Sequence, residues 1–220
     1  MELSAAPGVL ATIPLAGRLV TGDALYCQRE LCQQIIQAGG QYLVIVKTNQ
    51  PRLHADIALL FAEPPPGEVF ATAQHRDRHG DRREVRRLWA SGALQPYLDW
   101  PGARLVCKIE RETIWKGKRT RQARLAVTSL DDTTTTPADL LRRIRGHWRI
   151  ENRLHYVRDT AFAEDASQVR TGSAPQVMAA LRNAVIGLLR RAGCPNIAAA
   201  LRANAWRPDA ALSLLGIDPA

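Results

Sequence analysis

Along the first fifty residues the apolar positions change their period twice. Arg18–Thr21 is a short run with an apolar middle that stops at Gly22-Asp23, which predicts a strand followed by a turn. Cys27–Ala38 spaces Leu31, Cys32, Ile35 and Ile36 as one helical face, and Gly39-Gly40 supplies the stop. Tyr42–Lys47, YLVIVK, is a continuous β-branched run, the pattern of a strand covered on both faces. A helix is predicted from there to about Phe61, with Asn49 as its cap and Pro51 in its first turn. Strand, helix and strand with short links predict a right-handed parallel crossover, and so an α/β fold.

The period changes again after Pro64-Pro65-Pro66-Gly67. The segments REVRRLWAS, ARLVCKIERETIW and RQARLAVTS read as antiparallel strands with polar turns, one of them at Lys116-Gly117-Lys118. Past the Thr-rich stretch Asp131–Pro137 the pattern is helical. One long helix is predicted over Ala138–Arg158, then Pro175–Ala192 between a Ser173 cap and Gly193, then Asn196–Asn204 and Asp209–Leu215. The chain thus divides into a partial α/β segment (1–63), a β-rich insertion (64–130) and a helical segment (131–220).

Composition adds one strong fact. The 220 residues carry 30 Lys and Arg against 21 Asp and Glu, a net charge of +9. Residues 68–124 alone hold 14 basic and 7 acidic side chains, so the insertion carries most of the excess. Lys116, Lys118, Arg119 and Arg121 crowd its tip beside Trp115. That density favours phosphate contacts and points to nucleic acid. No apolar run approaches the roughly 18 residues of a membrane span. The N-terminus lacks a basic n-region, and the four cysteines form no Cys-x-x-Cys pair. A cytoplasmic protein without membrane association is expected.

Two acids stand out for chemistry. At 100° per residue, Leu140, Leu141, Ile144, His147, Trp148 and Glu151 share one face of the long helix. A carboxylate on that mostly apolar face loses hydration unless it is paired or binds a cation. Asp23 sits just past the end of a predicted parallel strand, where open α/β sheets bind ligands, although an Asp there is also a common cap. His147, Glu151 and His155 could form a transition-metal stripe, but His-Glu-x-x-His is absent. Glu164-Asp165 reads either as a surface loop or as a further acidic pair.

Two long strings carry a resemblance. GDALYCQRE…AGGQYLVIVKTNQPRLHADIALLF and RGHWRIENRLHYVRDTAFAEDASQVRTGSAP resemble bacterial insertion-sequence transposases of the H-repeat-associated branch. That branch belongs to the DDE class. The resemblance implies an RNase-H-like parallel or mixed sheet lacking its first strands, a β-rich basic insertion and a helical C-terminal part. Asp23 then matches the second catalytic aspartate and Glu151 the catalytic glutamate, both as ligands of Mg²⁺ (or Mn²⁺). Lys47 and Asn49 match a VK-x-NQP string at the active-site edge, where DNA phosphate is contacted. Related transposases carry Tyr, Arg, Glu and Lys around the glutamate. Here Ile144, His147 and Arg158 stand at the Tyr, Arg and Lys positions, and phosphate contacts for His147 and Arg158 follow by position. The implied partners are double-stranded DNA at transposon ends and a second copy in a homodimer. The implied activity is metal-dependent phosphodiester cleavage and strand transfer in DNA transposition. Resembling proteins carry their first aspartate upstream of the matched segment, and only Glu2 precedes Asp23 among acids. A truncated, inactive copy is therefore expected, the alternative being a catalytically dead basic DNA-binding remnant.

Overall fold

The computed structural model describes residues 2–150 and 155–217, with side chains for 3–147 and 155–217. Two compact units divide it, Met1–His147 and Trp148–Ala220.

The first unit is built on one six-stranded mixed sheet. Its strands are β1 (Leu19–Gly22), β2 (Gln41–Val46), β3 (Ala71–His79), β4 (Arg82–Ser91), β5 (Leu105–Trp115) and β6 (Lys118–Thr128), in the order β1-β2-β6-β5-β4-β3. β1 and β2 are parallel, joined through helix α2 (Arg29–Gln37), as the two apolar runs predict. All other pairings are antiparallel. β2 is buried from Tyr42 to Val46 because both sides of the sheet are covered.

Strand alternation sorts the two cores. On one face Tyr42, Val44, Val46, Val106 and Val127 pack against Cys32 and Ile35 of α2 and against Leu53, Ile57 and Leu60 of helix α3 (Pro51–Ala62). On the other, Leu43, Ile45, Leu88, Cys107 and Ala126 pack against Leu140, Leu141 and Ile144 of helix α4 (Pro137–Ile150). The helical face read from the sequence is thus the buried one as far as it is described. α4 starts at a side-chain cap: Thr136 Oγ1 accepts from Asp139 N–H at 3.2 Å and donates to the Asp139 carboxylate at 2.9 Å, with Pro137 in the first turn. Just before it, Asp131 Oδ1 accepts four hydrogen bonds, from the backbone and hydroxyls of Thr133 and Thr134. The Thr-rich stretch is therefore an ordered turn.

Three features differ from the sequence reading. Helix α1 (Glu2–Ala11) forms despite Pro7, and Gln34 of α2 donates to the Pro7 carbonyl at 3.0 Å. The cap position of α3 is Gln50, not Asn49. Strand β3, ATAQHRDRH, is a polar edge strand with little apolar alternation to announce it. The predicted continuity of one helix from 138 to 158 falls on residues 151–154, outside the described residues.

The second unit contains α5 (Tyr156–Phe162), α6 (Ala174–Arg191), α7 (Ile197–Trp206) and α8 (Pro208–Leu214). Ile186, Leu189 and Ile197 form its small core, with Val157, Phe162 and Leu201 against them. The predicted glycine stop holds, whereas Ser173, expected as the cap of α6, makes no side-chain capping hydrogen bond. Ser173 precedes α6, Gly193 follows it at φ +79°, and Asn196 Oδ1 caps α7 by accepting from Ala199 N–H at 3.0 Å.

Candidate functional site

Asp23 lies one residue past β1, at the carboxyl end of the parallel pair, and is exposed. Its Oδ1 accepts from Leu25 N–H at 3.0 Å, capping a short 3₁₀ turn over Ala24–Tyr26. The capping role weighed for this residue is therefore real, and it engages one oxygen. The neighbouring loop is stitched to the same turn. Asn49 Nδ2 donates to the Ala24 carbonyl at 2.7 Å, and Gln50 Nε2 donates to the Cys27 carbonyl at 2.9 Å. Asn49 thus holds the loop after β2 against the loop after β1, a role that only the folded chain shows. Lys47, next to it, is exposed.

His147 is half-buried on α4, and its Nδ1 lies 3.1 Å from the Thr21 hydroxyl, two residues before Asp23. Arg145, on the same helix, reaches Asp77 of β3 at 2.8 Å. These two polar contacts flank the apolar seam between α4 and the sheet. Neither Thr21 nor Asp77 stands out in the sequence, since each takes its meaning from a partner more than sixty residues away. Glu151 lies outside the described residues.

Arg158 sits in the second unit and grips Glu164 with both Nε and Nη2; Glu164 also faces Arg182 Nη1 at 3.4 Å. The hydrogen bond from Arg158 outweighs partial burial and holds the Glu164 carboxyl below its usual range. Glu164 is thus the anchor of two arginines, neither a free loop acid nor half of an acidic pair.

Carboxylate oxygens are the donors that a hard cation such as Mg²⁺ takes. Asp23 fits that chemistry, because no hydrogen bond engages its Oδ2 among the described residues. No group of three or more His, Cys, Asp or Glu converges on a metal position among the described residues. Cys27, Cys32, Cys107 and Cys194 are all free thiols. Burial pushes Cys27 and Cys107 up to about 12 and Cys32 to about 11, so these three stay protonated.

Strands β3–β6 run beyond both cores as a four-stranded arm, and its charge is organised. Glu84 is buried among Arg82 (3.2 Å), Arg111 (2.8 Å) and Arg86. On the opposite face Glu112 is buried among Arg119 (2.6 Å), Arg121 (3.1 Å) and Arg87 (3.8 Å). Arg119 and Arg121, expected on DNA phosphates, therefore already hold a carboxylate. At the tip, Lys116 (φ +49°) and Gly117 (φ +73°) form the two-residue turn of a type I′ hairpin, and Lys116 Nζ lies 5.1 Å over the half-exposed Trp115 ring. Lys118 has no acidic partner among the described residues.

Comparison with known proteins gives the class. A family profile described as the transposase DDE domain matches residues 2–188, and the chain belongs to that family. Its relatives place it in the H-repeat-associated branch. The "H repeat-associated putative transposase YhhI" of Escherichia coli (strain K12) is 28% identical over 202 residues, 86% of this chain and 51% of its own length. YbfL of the same strain is 29% identical over the same shares. A shorter match, 30% identical over 131 residues, joins 58% of the chain to 44% of a Xanthobacter autotrophicus protein. The chain spans about half the length of the curated relatives it matches. No helix among the described residues is long and apolar enough to cross a membrane.

Proposed function

We propose that these residues form the part of a DNA transposase that supplies the second aspartate, Asp23, and the glutamate, Glu151, of a divalent-metal site, together with a basic arm that binds duplex DNA. The observation that carries the reading is an exposed carboxylate at the carboxyl end of a parallel strand, in a chain of this family, on a sheet whose other strands extend into a cationic arm. When bound, Mg²⁺ or Mn²⁺ supplies activation of the attacking oxygen and stabilisation of the leaving one at a phosphodiester. The chain's own residues do the rest. Asn49 and Gln50 fix the loop geometry around Asp23, and Lys47 presents a cation beside it for a DNA phosphate. Lys116 and Lys118 offer the arm's tip to the backbone of the same duplex.

The family's third carboxylate is not supplied by residues 3–22, which hold no acid. Loss of one member of a unit that acts together costs orders of magnitude in rate. The proposal is therefore DNA binding by these 220 residues without strand cleavage of their own, and pairing of two such chains at transposon ends is part of it. The test is a gel-shift titration with duplex DNA at several salt concentrations, beside a Mg²⁺- or Mn²⁺-dependent nicking assay. Expected are binding that weakens steeply with salt and no nicking. Affinity that stays flat with salt would refute the DNA reading. Nicking abolished by Asp23→Asn or Glu151→Gln would show a complete site and refute the incomplete one.

A further inference from the structure

Where β2 leaves the sheet at Val46 to enter α3, β5 and β6 continue into the arm, and the divergence opens a crevice of about 670 Å³. It lies on the α3 face of the sheet, at the carboxyl end of β2, inside the first unit. Its floor is apolar: Val46 and Leu125 from the paired strands, Ala58 and Phe61 from α3. Phe61 is held by Phe70, with ring centroids 4.9 Å apart. Two lysines flank the crevice, Lys47 beside His54 on one side and Lys108 on the other, with Lys108 on the α3 face opposite Leu125. No carboxylate lines it. Lys47 and His54 have no acidic partner among the described residues, and Lys108 shares its charge with Glu110 at 3.0 Å while lying 5.5 Å over the Trp89 ring.

An apolar floor flanked by two lysines suits a ligand with a flat, weakly polar body and an anionic group. A pocket of this size is ample for one such body. A purely apolar ligand would leave the cations unused, and a bare phosphate would leave the floor wet. We propose that the crevice is a nucleotide site: it takes one unpaired deoxynucleotide of a DNA substrate, the base on the Phe61 side of the floor and the phosphate between Lys47 and Lys108. This rests on the reading of DNA as the partner. It adds a place where a single base, rather than the duplex backbone, is held, and stacking makes such holding tolerant of base identity.

The test uses the full chain and three probes: a blunt duplex, the same duplex with one unpaired 5′-terminal 2-aminopurine, and dAMP. Ala123, exposed on β6 and lining the crevice, can be enlarged without disturbing a core. Expected are a change in 2-aminopurine emission on binding, its reversal by dAMP, and loss of both with Ala123→Phe. That variant should weaken dAMP at least tenfold and leave blunt-duplex affinity within twofold. Duplex binding without any emission change would overturn the site, as would an Ala123→Phe chain that keeps it. Displacement of dAMP by a Glu octapeptide that binds more tightly would assign the crevice to an acidic protein segment and overturn the nucleotide. If no duplex binds at all, the earlier reading fails, and dAMP alone decides the crevice: binding lost in Ala123→Phe upholds it, and no binding refutes it.

Discussion

The same strands do two different jobs along their length. At the base, β4, β5 and β6 bury Leu88, Cys107 and Val127 between helices on both faces. Beyond the apolar cores the inward residues become Glu84 and Glu112, each enclosed by arginines. Leu88 and Glu84 lie on one face of one strand, four residues apart. An apolar core needs cover from a second layer, whereas a carboxylate ringed by guanidinium groups gives an uncovered ribbon its own cross-strand fasteners. The base should therefore ignore salt and acid, and the arm should respond to both.

The largest expected effect is at the base. Leu88→Ala should cost about 2–5 kcal/mol through lost burial and the cavity left behind, read as a lower urea midpoint that 1 M NaCl does not restore. Glu84→Gln comes next. It leaves Arg82 and Arg111 without their anion and Arg86 with Asp77 alone, at 3.1 Å, which at a partly screened site should cost about 1–3 kcal/mol. Hydrogen exchange should locate the loss in β3–β6 while β1 and β2 keep their protection. A loss spread evenly over the sheet would erase the distinction between base and arm.

Acid tests the same contrast. Burial alone would raise the Glu84 carboxyl, but the hydrogen bond from Arg111 and the charges of Arg86, Arg111 and Arg82 hold it below its usual range. The contacts of Arg119 and Arg121 likewise outweigh desolvation and hold Glu112 low. A depressed carboxyl contributes its stability above the unfolded pKa, and that contribution is lost as pH falls through the folded one. The arm should thus lose protection below about pH 4, before the base, and Glu84→Gln should flatten that dependence. On DNA, neutralising Lys116 and Lys118 should lower the salt slope by about 1 per contact removed. Neutralising Arg119 and Arg121 should act mainly by loosening the arm, because those charges already serve Glu112. Equal slopes for the two pairs would show that the internal pairing does not compete with phosphate. The smallest effect is at Thr21. Thr21→Val removes the hydroxyl that meets His147 and should cost about 1 kcal/mol in a urea titration, with Thr21→Ser restoring it.

The parallel crossover, the buried face of α4 and the helix ends at Gly193 and Asn196 were legible because each follows from local period or from a cap. Asn49 looked like a cap because caps are local; its actual acceptor, the Ala24 carbonyl, is a tertiary neighbour. β3 escaped because an edge strand without a buried face has no apolar alternation to show. The basic insertion was visible as a sum of charges, but a sum cannot tell that Glu84 and Glu112 are surrounded. Asp23 was legible only as the residue after a strand, and it stands there, exposed, at the end of the parallel pair.

One further consequence lies in the length of the β5–β6 ribbon. Its eleven residue pairs run in unbroken register from Leu105↔Thr128 to Trp115↔Lys118, which at a strand's rise is roughly 35 Å. No bulge interrupts the pairing to act as a joint. Such a ribbon behaves as a cantilever, clamped between two helical layers at one end and free at the other. A load taken at Trp115–Lys118 is not absorbed along the way; it arrives as torque at the root, where Leu125 pairs with Val46 and β2 turns out of the sheet.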